Sequence, residues 1–233
     1  MQTFTVETSE SVLCCERFGR CEQPTILLVS GAGAPGAFWR QELIASFVAE
    51  DFSVVRFDHR DTGFSTHFDE PYDLSVLAHE LQTLMDQLDT RPVHLVGHSM
   101  GGYLAQMVLR MQPQKVESAV SISAGCTVNP EIKTQKGISD PSPEVWSVLT
   151  ENIPSGDFSA DLDNWLKSWR YLNGECSFDK ELATEYTRAL YMGDKRNAQV
   201  ATNHVHAMTT VPDWLAERSS DETPFLALHG SRD

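Results

Sequence analysis

Two hydrophobic rhythms alternate along the first half of the chain, and one of them then disappears. Thr3 to Val6 alternates apolar and polar positions as a strand does, and a second short strand is expected at Val12 to Arg17. Thr25-Ile26-Leu27-Leu28-Val29-Ser30 is an apolar run of strand length, which fits a strand buried on both faces, and it ends in Gly31-Ala32-Gly33-Ala34-Pro35-Gly36. A helix is predicted from about Trp39 to Ala49, then a strand from Ser53 to Phe57 and a turn-rich loop. Leu74, Leu77, Leu81, Met85 and Leu88 recur at three- and four-residue spacing, an apolar helical stripe that starts just after a capping residue at Asp73. The strand Val93 to Val96 runs into a helical stretch, Tyr103 to Met111, and Val116 to Ala124 reads as one more strand. Strands separated by helices predict an α/β fold, with a mostly parallel central sheet flanked by helices on both faces.

From about Cys126 to Glu222 the strand rhythm is lost. Helical patches at Pro143 to Thr150, Leu162 to Leu172 and Leu182 to Met192 are rich in tryptophan and tyrosine, and the strand pattern resumes only at Pro224 to His229. The expected organisation is therefore a core of residues 1–126 and 223–233, interrupted by a helical cap of residues 127–222 that lies over the carboxyl edge of the sheet. The tryptophans and tyrosines of that segment are read mostly as the cap's own core, with one or two left to face a bulky, flat or apolar substrate.

Chemistry enters at Gly97-His98-Ser99-Met100-Gly101, placed where the apolar strand meets its helix. This is a Gly-x-Ser-x-Gly nucleophile elbow: the serine is forced into a sparsely populated backbone conformation, and the flanking glycines let neighbouring chain approach without Cβ clashes. A serine hydroxyl is a weak nucleophile, so it needs a base beside it and donors aimed at the oxyanion that it creates.

Bulk composition is compatible with such an enzyme and narrows the rest. The chain has 233 residues, 41% of them hydrophobic, enough to bury the core of one catalytic module. The 33 acidic and 18 basic residues give a formal charge of -15 without a dense block of Lys or Arg, which argues against nucleic acid as a partner. The N-terminus lacks the pattern of a signal peptide and no apolar run approaches membrane-spanning length, so a cytoplasmic protein without a membrane partner is expected. Cys14, Cys15, Cys21, Cys126 and Cys176 are odd in number and lack paired ligand spacing, which disfavours both a disulfide framework and a metal site. Cys126 is placed to line the pocket. The cluster Asp58, Arg60 and Asp61 is read as loop bracing, and Ser65 as a turn or capping hydroxyl.

Taken together, the order of elements, the turn after Ser30, the loop Asp58-His59-Arg60-Asp61-Thr62-Gly63-Phe64-Ser65, the elbow and the closing His229-Gly230-Ser231-Arg232-Asp233 resemble an α/β-hydrolase through essentially the whole chain. Asn164-Trp165, Trp169-Arg170, Leu172, Gly174 and Phe178-Asp179 are similar to the aclacinomycin methylesterase type. The resemblance implies that Ser99 is the nucleophile, that the Met100 amide is one oxyanion donor, and that Ala32 supplies the second, with Gly33 as the fallback. Families of this type usually carry histidine where this chain has Ser30. Asp233 matches the family's acid, which orients the catalytic histidine. Gly31, Gly33, His98, Cys126 and Trp165 are the expected substrate-binding positions, with no metal and no cofactor.

In this fold the catalytic partners follow the order serine, acid, histidine. None of His59, His67, His79, His94, His98, His204, His206 and His229 occupies the family's position, and all eight are read as structural. Ending at Asp233 would remove the family's last strand and helix and leave the Phe225 to Leu228 strand as an uncovered edge. The expectation is a full gene product that continues with a helix, a strand and a His-bearing loop. The function expected from these residues is cofactor-independent hydrolysis of a carboxylic ester of a small, largely apolar molecule, by a monomer or homodimer. The rival readings are a carbon-carbon bond hydrolase or perhydrolase using the same triad, and a non-catalytic small-molecule sensor that uses the capped pocket.

Overall fold

The computed structural model describes residues 1–88, 91–125, 130–137, 142–150, 155–193, 198–210 and 222–230. Strands β1 (Gln2–Glu7), β2 (Val12–Phe18), β3 (Thr25–Val29), β4 (Ser53–Phe57), β5 (Val93–His98), β6 (Val116–Ile122) and β7 (Phe225–Leu228) form one sheet in the order β1-β2-β4-β3-β5-β6-β7. β1 pairs antiparallel with β2 and β2 with β4, whereas every pairing from β4 across to β7 is parallel. The mixed sheet has the antiparallel strands at one edge, as expected for an N-terminal hairpin followed by helix-connected strands.

Alternation along the strands sorts the core onto two faces. Leu27 and Val29 of β3 pack with Val55, Phe57 and Leu95 against α2 (Leu74–Leu88) and α3 (Met100–Met111). The intervening Ile26 and Leu28 pack with Val54, Trp39 and Ile44 on the opposite face, beneath α1 (Gln41–Ala49). β3, the central strand of the seven, and β4 beside it are buried at every position, which explains their largely apolar sequence. Of the stripe predicted for α2, Leu74, Leu77, Leu81 and Met85 are buried, joined by Leu84, while Leu88 at the end of the helix is only partly buried.

The start of α1 differs from the sequence expectation. Gly36–Phe38 forms a turn of 3₁₀ helix, Trp39 is extended and Arg40 precedes the first helical residue. Trp39 is buried with the Ile44 cluster, and the Arg56 guanidinium donates to its carbonyl at 2.8 Å, so tertiary contacts hold the tryptophan out of the helix.

Between β6 and β7 lie α4 (Pro130–Gln135), α5 (Pro143–Thr150), α6 (Phe158–Leu172), α7 (Lys180–Leu190) and α8 (Ala198–Thr209), with no strand among the described residues of this segment. Asp157 caps α6 by accepting from Ser159 N at 2.8 Å and Ala160 N at 3.3 Å, and Asp179 caps α7 by accepting from Leu182 N at 2.9 Å. α4 and α8 were not anticipated. The buried face of α8 includes Asn203, His204 and Ala207, so it carries no apolar stripe to read. β7 pairs with β6, forms the sheet edge, and is exposed at all of its positions. Among the described residues, no helix is long and apolar enough to cross a membrane.

Candidate active site

Ser99 sits at the junction of β5 and α3 with φ 52° and ψ -120°, a conformation that L-residues rarely adopt. Its neighbours show why the chain tolerates the bend only with glycine on either side. A Cβ on Gly97 would run into the Gly101 carbonyl, and one on Gly101 would run into the Val29 carbonyl of β3. The glycines therefore let α3 start directly over the sheet. Ser99 N–H donates to the Ile122 carbonyl at 2.9 Å, which fastens the bend to β6. Met100 is the first residue of α3, so its N–H has no acceptor within the helix and sits at the positive end of the helix dipole. The Met100 side chain is fully buried.

Facing this bend is the loop that leaves β3. A Cβ built on Gly31 would stand 3.2 Å from both the Ser99 Cβ and the His98 Nδ1, so the two segments are in contact. Ala34 N–H donates to the Gly31 carbonyl at 3.1 Å, closing a tight turn in which Gly33 has φ +65°. Four side-chain tethers hold the loop. His59 Nε2 donates to the Ser30 carbonyl at 3.1 Å, and Ser30 Oγ to the Pro35 carbonyl at 3.3 Å. Gly33 N–H donates to His204 Nδ1 at 2.7 Å, and Gly36 N–H to Asp58 Oδ1 at 2.7 Å. Ala32 is the exposed residue of this turn, and its amide belongs to none of these bonds.

The loop after β4 is braced as its sequence suggested. Asp58 Oδ2 accepts from Phe64 N–H at 2.9 Å, and Ser65 Oγ donates to the Asp58 carbonyl at 2.7 Å while accepting from Cys14 N–H at 2.8 Å. Asp61, at φ 64°, accepts from Phe68 N–H at 2.6 Å, Tyr72 OH at 2.8 Å and Asn203 Nδ2 at 3.0 Å. Arg60 is buried, bonds Glu80 at 2.7 Å and lies over the rings of Phe68 and Tyr72. These carboxylates and this guanidinium are all engaged in holding loops.

The histidines divide by what their rings touch. His59 is buried and its pKa is pushed down to about 3, first by burial and then by the nearby His204. His204 accepts from an amide at Nδ1 and donates from Nε2 to the Arg60 carbonyl at 2.9 Å. Both rings are committed to backbone. His94 is bonded to Ser118 Oγ at 2.8 Å and His79 to the Ser75 carbonyl. His98 stacks on Phe38 with ring centroids 5.3 Å apart, and burial lowers its pKa.

That stack is the first step of an aromatic series running from the elbow into the helical segment. Phe38 meets Tyr186 at 5.2 Å, Tyr186 meets Trp169 at 6.3 Å, and Trp169 stacks on Trp165 at 5.8 Å. Trp165 is half-buried and donates through Nε1 to Tyr191 OH at 3.1 Å. Trp146 and Tyr171, by contrast, face solvent. Cys126 and Asp233 lie outside the described residues.

A separate cavity of about 190 Å³ is lined by Cys14, Glu16, Arg56, Asp58 and Phe64, on the outer side of the β4 loop, and does not include Ser99. Burial, helped by Asp58 and Glu16, raises the pKa of the Cys14 thiol, which keeps it protonated and unreactive. No group of three or more His, Cys, Asp or Glu side chains is arranged to hold a metal among the described residues.

A strained serine between two obligatory glycines, at the carboxyl edge of a parallel sheet, has the geometry of a nucleophile elbow. The chain belongs to the alpha/beta hydrolase fold family, whose model matches residues 24–233. It is 27% identical over 250 residues to the rhodomycin D methylesterase DnrP of Streptomyces peucetius, covering 100% of this chain and 83% of that protein. Among solved structures it superposes with a TM-score of 0.73 on an esterase from Exiguobacterium antarcticum, at 16% identity, covering 100% of this chain and 82% of the other. The 2-hydroxy-6-oxo-6-phenylhexa-2,4-dienoate hydrolase of Rhodococcus sp. strain RHA1 superposes with a TM-score of 0.72 at 16% identity, covering 99% of this chain and 81% of the other.

 Both structures, at 16% identity, show the same fold, which by itself does not choose among hydrolytic chemistries.

Proposed function

We propose that the protein is a cofactor-independent serine hydrolase that cleaves a carboxylic ester of a small, largely apolar molecule through an acyl-enzyme. The observation that carries this reading is Ser99 at φ 52° and ψ -120°, clamped between Gly97 and Gly101. In this mechanism Ser99 Oγ attacks the ester carbonyl carbon, and its proton passes to the histidine that this fold places after its acid, oriented by Asp233. The carbonyl oxygen becomes an oxyanion, bound by the amides of Met100 and Ala32, each worth about 3 kcal/mol to the transition state. The carbon–oxygen bond to the alcohol then breaks, and the alcohol leaves with the proton. Water attacks the acyl-enzyme by the same route in reverse and regenerates Ser99.

Gly31, Gly33, His98, Cys126 and Trp165 are the proposed substrate-facing positions. The aromatic series from His98 to Trp165 supports a flat or apolar substrate, and residues 127–222 act as the cap that covers it. Similarity to a methylesterase supports an ester rather than an amide, and a methyl ester is the first substrate to try. The test is labelling of the full-length protein with a fluorophosphonate probe, followed by turnover of p-nitrophenyl and methyl esters against vinylogous diketones. Probe on Ser99, ester turnover, and a loss on the order of 10⁶-fold in Ser99→Ala support the reading. Turnover of the diketones alone sinks the esterase assignment, and ligand binding without labelling favours a sensor.

A further inference from the structure

We infer that His204 is a positioning residue of the hydrolytic site, one that fixes the turn after β3 so that the amide of Ala32, and not that of Gly33, is presented to the oxyanion. The inference rests on the serine-hydrolase reading above. It begins with the turn itself. In a four-residue turn the central peptide can take either of two orientations related by a flip, and a glycine at the third position permits both. Here that peptide joins Ala32 to Gly33, with Gly33 at φ +65°.

One interaction selects the orientation. Gly33 N–H donates to His204 Nδ1 at 2.7 Å, so Nδ1 carries no proton. Nε2 lies 2.9 Å from the Arg60 carbonyl, which can only accept, so Nε2 carries the ring's single proton. Two backbone groups on different loops thus define one neutral tautomer. The ring is buried at 1% exposure and meets His59 edge-on at 5.9 Å, and His59 in turn holds the Ser30 carbonyl. Asn203, the preceding residue of α8, donates to Asp61 Oδ2 at 3.0 Å and to the Phe68 carbonyl at 2.9 Å. α8 is therefore pinned to the β4 loop at two consecutive residues, and His204 reaches from that anchor to the turn facing Ser99.

Two consequences follow for the site. The Gly33 amide is already spent on His204, which leaves Ala32 as the exposed residue of the turn with an amide to offer. Without the ring acceptor, the Ala32–Gly33 peptide is free to flip, which swings the Gly33 N–H and the Ala32 carbonyl and changes the backbone angle at Ala32, so the adjoining Gly31–Ala32 peptide, which carries the Ala32 N–H, loses the neighbour that held it in place. An oxyanion donor acts in the transition state and not in substrate binding, so the loss falls on kcat and leaves KM nearly unchanged.

The test compares His204→Asn, His204→Gln and His204→Ala in the full-length protein, with rates expressed per Ser99 labelled by fluorophosphonate. The Asn Oδ1 branches from Cγ as the histidine Nδ1 does and restores an acceptor for Gly33, whereas the longer Gln reaches toward the Arg60 carbonyl instead. Expected are kcat losses of about 10- to 100-fold for Ala and Gln, a smaller fraction of the full cost of losing a donor, with KM within about threefold and with Asn recovering most of the rate. A merely structural role predicts that rates follow thermal stability in all three variants, and that result, or Gln equal to wild type, overturns the inference. A measurement on the wild type needs no variant to fold: nitrogen–nitrogen coupling across the bond from Gly33 to His204 Nδ1 is expected by NMR, and a protonated Nδ1 overturns the proposal. If the wild type neither labels at Ser99 nor hydrolyses esters, the functional reading fails and the positioning role falls with it. If it does both and the Ala variant keeps its kcat, only the role of His204 is lost.

Discussion

The two bends that meet at the carboxyl edge of the sheet are held by different physics. At the elbow the constraint is backbone against backbone: Gly97 is closed in by the Gly101 carbonyl, and Gly101 by the Val29 carbonyl, so the fold leaves no room for any other residue. The turn after β3 is instead held by side chains of other elements, with His59, His204 and Asp58 binding Ser30, Gly33 and Gly36. The first bend is rigid because of excluded volume, which no change of pH or protonation can relax. The second is rigid only while particular hydrogen bonds are intact. Strain at Ser99 is thus built into the chain's local sequence, while the geometry of the opposing turn depends on distant residues, and this predicts different responses to mutation and to acid.

The largest expected effect is at the elbow. In Gly101→Ala the new methyl must displace β3 or lift the start of α3, with no flexible side chain to absorb it. We expect a loss of at least about 3 kcal/mol in unfolding free energy, read by urea denaturation, and no fluorophosphonate labelling even where the fold survives. A stable, labelled Gly101→Ala would remove the distinction between the two bends.

Next comes the tether at Asp58, which accepts the amides of Gly36 and Phe64 from two separate loops. Asp58→Asn keeps one acceptor and turns a donor toward the other amide, leaving a buried N–H unpaired. The expected cost is about 2 kcal/mol, because each broken bond to a charged acceptor exposes the desolvation of its partner. The loss should appear as faster hydrogen exchange in residues 31–36 with the elbow amides unchanged.

The same contrast explains what the sequence could reveal. Strands β1 to β6 and the helices α2 and α3 were readable because each declares itself through a local period, and the elbow was readable because its steric logic is complete within Gly97 to Gly101. The turn after β3 was only half legible. Its glycines announce a bend, but its tethers lie 22, 29 and 171 residues away in the chain, beyond any local pattern. His204 reads as structural from the sequence, like the other histidines, and its bond to the turn depends on α8, whose buried face at Asn203 and His204 is polar and carries no hydrophobic signal. The early start expected for α1 failed for a related reason, since the burial of Trp39 and the bond from Arg56 to its carbonyl are tertiary facts.

A third prediction uses acid to separate the bends. His59 has a pKa pushed down to about 3 by burial, against an ordinary value near 6.5, so between those limits the unfolded chain binds a proton that the folded protein refuses. Stability therefore falls as pH drops from 6.5 toward 3, by up to about 1.4 kcal/mol per unit from this group alone. His98, also lowered by burial, acts in the same direction, while Asp58, raised by burial, acts against it. The difference between wild type and His59→Gln cancels those shared contributions. In urea unfolding at pH 6, 5 and 4, the wild type should lose about 1.4 kcal/mol more per unit than the variant; parallel pH curves would show that His59 does not hold the β3 turn in its neutral form.

The smallest effect expected is at the ring that joins the two bends to the helical segment. Phe38 follows the β3 turn, stacks on His98 of the elbow at 5.3 Å, and meets Tyr186 of α7 at 5.2 Å. Aromatic pairs of this geometry contribute about 1 kcal/mol beyond the area that they bury. A double-mutant cycle of Phe38→Leu and Tyr186→Leu isolates that share, because the lost area cancels between the two single variants. A coupling near 1 kcal/mol in stability, together with a raised KM for aromatic esters and an unchanged kcat, would mean that the helical segment acts on substrate binding through this ring while the chemistry stays with the elbow. A zero coupling would mean that α7 merely rests on the core, and that the side-chain control described for the β3 turn comes from α8 alone.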